Sequence, residues 1–320
     1  MAVLGRTPPS DASRAGSTGL PELEGEAHGL VDRLPSLQVE AMRISSTIAH
    51  GIHGRRRPGP GETFWQFRQY EQTDAAQIID WRRSASSDHL FVREREWEAA
   101  HTFWLWANTS VSMDFRSDLA STTKRDRALV LMLALSELLV RGGERVALLG
   151  LTRPSASRYV ARRLAEALAG NAALPIMQES QPRPARLARF SGVVLISDFL
   201  DPPDVVTAAL DSLAGNDITG HLIQVLDPAE ETLPYDGRAE FLSPGQGQRW
   251  VADRVESLRD AYVARLQTHR AAIAEHARRI GWDFTVHHTD RPAAEPLLNL
   301  IVRLQNSGRG AVPSLKGGFA

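Results

Sequence analysis

Two short apolar runs that break off in hydroxyl and acidic residues constrain this chain more than anything else in it. Residues 101–113 read HTFWLWANTSVSM and residues 192–201 read GVVLISDFLD. A near-continuous apolar run of strand length suits a strand covered on both faces, as in a parallel sheet layered between helices. In open α/β sheets, ligands bind beyond the carboxyl ends of the strands, where the strand order reverses. The polar ends therefore make Ser110, Ser112 and Asp198 candidates for one shared site.

From residue 101 onward, strand and helix patterns alternate. Strands are expected over 101–107, 145–151, 193–197, 221–226 and 282–286. Helices are expected over 122–140, 154–169, 203–213 and 295–304, with one or two amphipathic helices over 251–279. Such a β-α succession predicts a doubly wound, mainly parallel sheet. Upstream, Leu30, Leu34, Leu37, Ala41, Ile44 and Ile48 recur at three- and four-residue intervals and predict a helix, with Pro35 marking a second start. Residues 1–24, rich in Gly, Pro, Ser and Ala without a period, are expected to be a disordered lead-in. The expected organisation is therefore a lead-in (1–24), a helix plus an Arg/Trp-rich β-containing region (25–100), the α/β domain (101–305) and a flexible tail (306–320).

Two stretches of the second region invite a recognition role. Residues 51–62, GIHGRRRPGPGE, carry Arg55, Arg56 and Arg57, read either as an exposed basic loop or as a protein-facing one. Residues 63–97 mix aromatics, arginines and carboxylates, suiting a small β-rich unit held by Arg–carboxylate pairs. Within it Trp81, Arg82 and Arg83 read as a recognition surface or as packed aromatics with surrounding ion pairs.

Composition excludes several functions. The chain has no cysteine, which removes thiolate catalysis, disulfides and cysteine zinc sites and fits a reducing compartment. A formal net charge of -1 gives no whole-chain argument for nucleic acid, and none is expected as partner. No run approaches the roughly 18 apolar residues of a membrane span, and the first residues lack an apolar signal core. A cytoplasmic protein is expected. A P-loop (G-x-x-x-x-G-K-[ST]) is absent, so the chain is not expected to be an ATPase. No glycine elbow frames Ser110, which argues against a serine hydrolase. His287 and His288 are adjacent, so on a strand they face opposite ways and do not share an ion. With His221 and His276 they are expected at the surface or at strand ends.

Taken singly, a Ser or Asp just past a strand is an ordinary helix cap. Together, Asn108-Thr109-Ser110-Val111-Ser112 and Ser197-Asp198 resemble the metal-ion-dependent adhesion site of von Willebrand factor A domains, whose motifs are Asp-x-Ser-x-Ser and a late strand-end Asp. That resemblance implies Mg²⁺ on hard oxygen ligands drawn from Asn108, Ser110, Ser112 and Asp198. Asn108 stands where the motif has Asp. The missing negative charge predicts that Mg²⁺ binding is weak or lost. Thr152, Ser155 and Ser157 are all open as replacements for the motif's middle threonine, and Asp114 and Asp201 are nearby carboxylates.

A wider set of blocks carries a second resemblance. GIHGRRRPGPGETFWQFRQY, IDWRRSA, LFVREREWE and the strand ending in the NTSVSM turn occur in one order. Together they resemble the bacterial domain of unknown function 58 family. The resemblance implies a von Willebrand A-like α/β fold and a MoxR-type AAA+ ATPase as partner. The functional expectation is a non-enzymatic protein-interaction module, an adaptor or cofactor of that ATPase in complex maturation. It would dock through the strand-end face and the basic and Trp81–Arg83 segments. The alternative is a metal-dependent hydrolase using the same strand-end pocket, which lacks an evident general base.

Overall fold

The computed structural model describes residues 2–3, 20–52, 64–70, 79–85, 87, 89–95, 100–170, 179–215, 217–242 and 248–307. The chain divides into two compact units, one formed by 1–49 with 101–320 and the other by 50–100. No described helix is long and apolar enough to cross a membrane.

The larger unit is α/β, built on a five-stranded parallel sheet. Its strands are β4 (Thr102–Ala107), β5 (Arg145–Leu148), β6 (Gly192–Ser197), β7 (Thr219–Leu226) and β10 (Asp283–His288). Their spatial order is β10-β7-β6-β4-β5, and every pairing is parallel. From β4 the chain turns to β5 on one side and then to β6 on the other. The strand order therefore reverses between β4 and β6, where a doubly wound sheet opens its ligand crevice. Both apolar runs of the sequence end at that point.

Side-chain alternation along the buried strands feeds two layers of core. Trp106, Val193, Leu195 and Leu222 pack with Val206, Leu210 and Leu213 of α5 (Pro203–Leu213), Ile273 and Ala277 of α7 (Arg259–Arg279), and Trp282. Val194 and Ile196 alternate to the opposite face, and α3 (Lys124–Arg141) lies against β4, β5, β6 and β7. Helix α3 is buried along almost its whole length, including Lys124, Arg125, Asp126 and Arg127. Helix α1 (Leu20–Ile52) covers it, with Leu34, Leu37, Ala41 and Ile48 buried. Arg33 of α1 reaches Asp126 at 2.7 Å, and Ser45 bonds Glu137 at 3.1 Å.

Close packing leaves no room for side chains at two glycines. A Cβ on Gly220 would lie 1.8 Å from the Trp282 ring. Gly220→Ala is therefore expected to cost about 3 kcal/mol of stability, the upper end of overpacking penalties. A fall in the urea midpoint at unchanged m-value checks this.

Several sequence expectations are corrected. Helix α1 begins at Leu20, inside the expected lead-in, where Pro21 and Glu22 suit a first helical turn. It also runs unbroken through Pro35, because its buried face on α3 outweighs the one hydrogen bond that proline forfeits. Ala2–Val3 form a short strand, β1, paired with β8 (Ala239–Leu242). Residues 154–159 are not helical. Ser155 and Val146 instead exchange two backbone hydrogen bonds of 2.9 Å, and the helix α4 starts at Val160. Strand β5 stops at Leu148, whose N–H is taken by the Thr152 hydroxyl. The expected helix over 251–279 begins instead as a strand, β9 (Arg249–Ala252), antiparallel to β8, before α7. His221 and His287 are buried, His287 at the end of its strand as expected and His221 within β7. The last helix, α8 (Ala294–Ser307), runs past 304.

The smaller unit contains an antiparallel pair, β2 (Phe64–Gln69) and β3 (Phe91–Arg95), and a one-turn helix, α2 (Trp81–Ser84). Asp80 caps α2 by accepting from the Arg83 N–H at 3.0 Å. Arg55, Arg56 and Arg57 lie outside the described residues.

Candidate functional site

The carboxyl ends of β4 and β6 meet as the sequence suggests. The Asn108 N–H donates to the Ile196 carbonyl at 2.8 Å, extending the ladder one step past the strands. The Asn108 carboxamide then ties both motifs together. Its Nδ2 donates to Ser197 Oγ at 3.0 Å, and its Oδ1 accepts from the Ser110 N–H at 2.9 Å. Ser110 and Ser112 share a 3.2 Å hydroxyl–hydroxyl bond, and Ser197 Oγ donates to Asp198 Oδ1 at 3.5 Å. Asn108, Ser110, Ser112 and Asp198 therefore form one connected cluster.

The backbone at Asp198 is set by its neighbours. Phe199 is a buried, non-glycine residue at φ 46°, in the left-handed region. Such a conformation is held only where surroundings impose it. Here the Phe199 N–H donates to Ser197 Oγ at 3.2 Å, its carbonyl meets His269 Nε2 at 2.7 Å, and Gln224 Nε2 donates to the Asp198 carbonyl at 2.8 Å.

The group that dominates the site is one that sequence reading missed. Lys124, the first residue of α3, sends its ammonium to Asp198 Oδ2 at 2.9 Å and to Glu230 Oε1 at 2.7 Å. Its side chain is 1% exposed, and the two carboxylates are 2% and 4% exposed. Glu230 belongs to the short helix α6 (Pro228–Thr232), where Asp227 and Glu230 form a reciprocal capping box. The Glu230 Oε2 accepts the Asp227 N–H at 3.0 Å while Oε1 holds the lysine.

Electrostatics follow from this geometry. Burial works against charge on Lys124, but the Asp198 and Glu230 carboxylates outweigh it and hold the amine above its ordinary pKa. Burial likewise pushes Asp198 up, and the ammonium outweighs it, so Asp198 stays below its usual range. Glu230 moves the other way: burial, together with repulsion from Asp198, lifts it despite the lysine. One cation thus serves two acids, holding Asp198 low while burial keeps Glu230 raised.

This arrangement tests the expected metal. A Mg²⁺ ion needs oxygen donors free to turn toward it in near-octahedral geometry. The Asn108 oxygen is committed to a backbone N–H, and Asp198 faces an ammonium at 2.9 Å. The residues present do not fit a resident dication. The other expected donors are also engaged. Asp114 pairs with Arg125 at 2.6 Å, Asp201 accepts from Gln181 at 2.7 Å, and Thr152 caps Leu148. Ser155 Oγ accepts from the Ser157 N–H. Among the described residues no group of three or more His, Asp or Glu is placed to hold an ion.

Beside the cluster lies an apolar cavity of about 210 Å³. Phe115, Leu233, Phe241, Leu258 and Tyr262 are among its walls, with Glu230 at its edge and Trp250 and Arg265 also lining it. Elsewhere, in the smaller unit, Trp81 is 64% exposed with Arg82 and Arg83 exposed beside it.

A family model described as a protein of unknown function, DUF58, matches residues 66–272. The chain belongs to the DUF58 family. Uncharacterized proteins of Mycobacterium tuberculosis (strain ATCC 25618 / H37Rv) and Mycobacterium bovis are each 27% identical over 298 residues, covering 88% of this chain and 91% of theirs. Among solved structures, a conserved hypothetical protein, BatB, from Bacteroides thetaiotaomicron is 11% identical. It spans 65% of this chain and 100% of its own, with a TM-score of 0.36. An aerotolerance-related membrane protein from Bacteroides fragilis is 14% identical over 64% of this chain and 100% of its own, with a TM-score of 0.35.

Proposed function

We propose that this DUF58 chain is a non-enzymatic protein-interaction module with a von Willebrand A-like domain. Its partner is a MoxR-type AAA+ ATPase, for which it acts as an adaptor or cofactor in complex maturation in the cytoplasm. The observation that carries the reading is the closed state of the strand-end cluster. Every acid and hydroxyl in it is satisfied by a neighbour, and the Lys124 ammonium is locked between two carboxylates. General acid–base chemistry needs a group poised to exchange protons near neutral pH. Lys124 and Asp198 are both driven away from neutrality, and Glu230, which burial lifts toward it, has both oxygens engaged, by Lys124 and by the Asp227 N–H. The same contact weighs against a metal-dependent hydrolase in this pocket.

With Ser110 and Asp198 buried, docking falls to exposed groups. Trp81 is flanked by two arginines, and Trp and Arg are the residue types enriched at interface anchors. A Trp81→Ala/Arg82→Glu/Arg83→Glu variant is expected to lose capture of the purified ATPase by about tenfold or more, since one anchor alone carries roughly 2 kcal/mol. Undiminished capture by a correctly folded variant would remove this surface from the interface. Failure of the wild type to bind the ATPase under any nucleotide condition would sink the adaptor reading itself.

A further inference from the structure

We propose that the Lys124 ammonium is a built-in replacement for the divalent cation of an adhesion-type site, so that this strand-end cluster is complete without metal. First, Lys124 Nζ donates to the strand-end carboxylate at 2.9 Å and neutralises it. Second, the amine is sealed, with a side-chain exposure of 1%, and a second carboxylate, Glu230, comes from another helix to hold it. Third, the residue at 108 is a carboxamide whose two ends are both used: Nδ2 donates to a serine hydroxyl and Oδ1 accepts a backbone N–H. A carboxylate at 108 has no N–H to give Ser197, and it would add a negative charge beside Asp198. Asparagine at 108 and lysine at 124 act together: the carboxamide adds no charge beside Asp198, and the ammonium supplies the positive charge that Asp198 faces.

The charge count closes only with Glu230 protonated. An adhesion-type motif pairs two acids with a dication. Here Asp198 and Glu230 face one ammonium, and Glu230 is the acid whose charge is least supported. The geometry implies that shape at the strand ends is held permanently rather than switched by ion availability. The cluster keeps that shape equally with and without Mg²⁺. The inference concerns the isolated chain and stands whether or not the partner is an ATPase.

The test is metal titration of the full chain, with Mg²⁺ and Mn²⁺ as probes, alongside the double variant Asn108→Asp/Lys124→Ala. Wild type is expected to give no binding heat and no shift of thermal midpoint with Mg²⁺ or EDTA. The double variant, which restores the acid and vacates the amine's position, is expected to gain a dissociation constant of about 1 mM or tighter, the range of weak oxygen-ligand sites. It is also expected to melt higher with Mn²⁺ than with EDTA. Wild-type affinity tighter than about 1 mM overturns the proposal, as does a folded double variant that gains nothing. If the double variant does not fold, the ¹⁵N resonance of the Lys124 ammonium decides. A slowly exchanging signal, unmoved by 10-fold excess Mg²⁺, supports the assignment, and a signal absent or displaced by Mg²⁺ refutes it.

Discussion

Replacing Lys124 with methionine is expected to destabilise the protein by about 3–5 kcal/mol in equilibrium urea unfolding, the cost of stranding a buried ionic partner. Methionine keeps length and apolar bulk, so little of the effect comes from a cavity. The damage is electrostatic. Asp198 and Glu230 lie buried within reach of the same ammonium, and without it each must either protonate or draw in water. The three members are not equivalent, which gives the prediction an internal control. Asp198 is held ionised and engages Lys124 and, at 3.5 Å, Ser197, so Asp198→Asn is expected to cost about 2–3 kcal/mol. Glu230 is already pushed toward its neutral form, and an amide keeps its oxygen for Lys124 and its cap to Asp227 only in part. Glu230→Gln is expected to cost about 1 kcal/mol, the scale of a helix cap. The order Lys124 > Asp198 > Glu230 is the observable. A Lys124→Met protein that melts with the wild type would mean that the ammonium is not the counter-charge of this site.

The sheet and its switch point were legible because both rest on local patterning. The runs at 102–107 and 192–197 are apolar on both faces, and a strand with no polar face announces burial before any partner is known. Lys124 and Glu230 were not legible in that way, being 106 residues apart and joined only by the fold. Yet a signal was present. Lys124 and Arg125 open α3, where the helix dipole disfavours cations and favours acids. Two wrong-signed residues at a helix start call for external acids, and the structure supplies Asp198 and Glu230 for one and Asp114 for the other. The Asp227-Pro-Ala-Glu230 spacing was likewise a readable capping box. What no window of sequence contains is the second use of Glu230. The β8–β9 hairpin failed to stand out for a different reason. Each strand is four residues long and half exposed, too short to impose a period against the strong helical pattern that follows.

Acidification from pH 6.5 to 5 is expected to remove about 2 kcal/mol of stability through His287 alone. Burial, reinforced by the Arg127 and His288 charges, pushes the His287 pKa down to about 3. An unfolded chain restores the imidazole to its ordinary value near 6.5. Above that pH both states carry a neutral ring and the group contributes no slope. Below it the unfolded chain takes up a proton that the folded chain refuses, so stability falls by about 1.4 kcal/mol per pH unit until the folded pKa is reached. His221 acts in the same direction: burial lowers it, Arg303 adds to that, and the facing Asp283 only partly opposes it. Glu230, whose folded pKa is raised, works the other way, because its ionisation is disfavoured in the folded state as pH rises. The His287 share is isolated by difference. In His287→Leu the slope of unfolding free energy between pH 6.5 and 5 is expected to flatten by about 1.4 kcal/mol per unit relative to wild type, with little change at pH 7.5, where the ring is neutral in both states. Parallel pH profiles for the two proteins would show that this ring is reached by protons in the folded state, contrary to its 4% exposure at the end of β10.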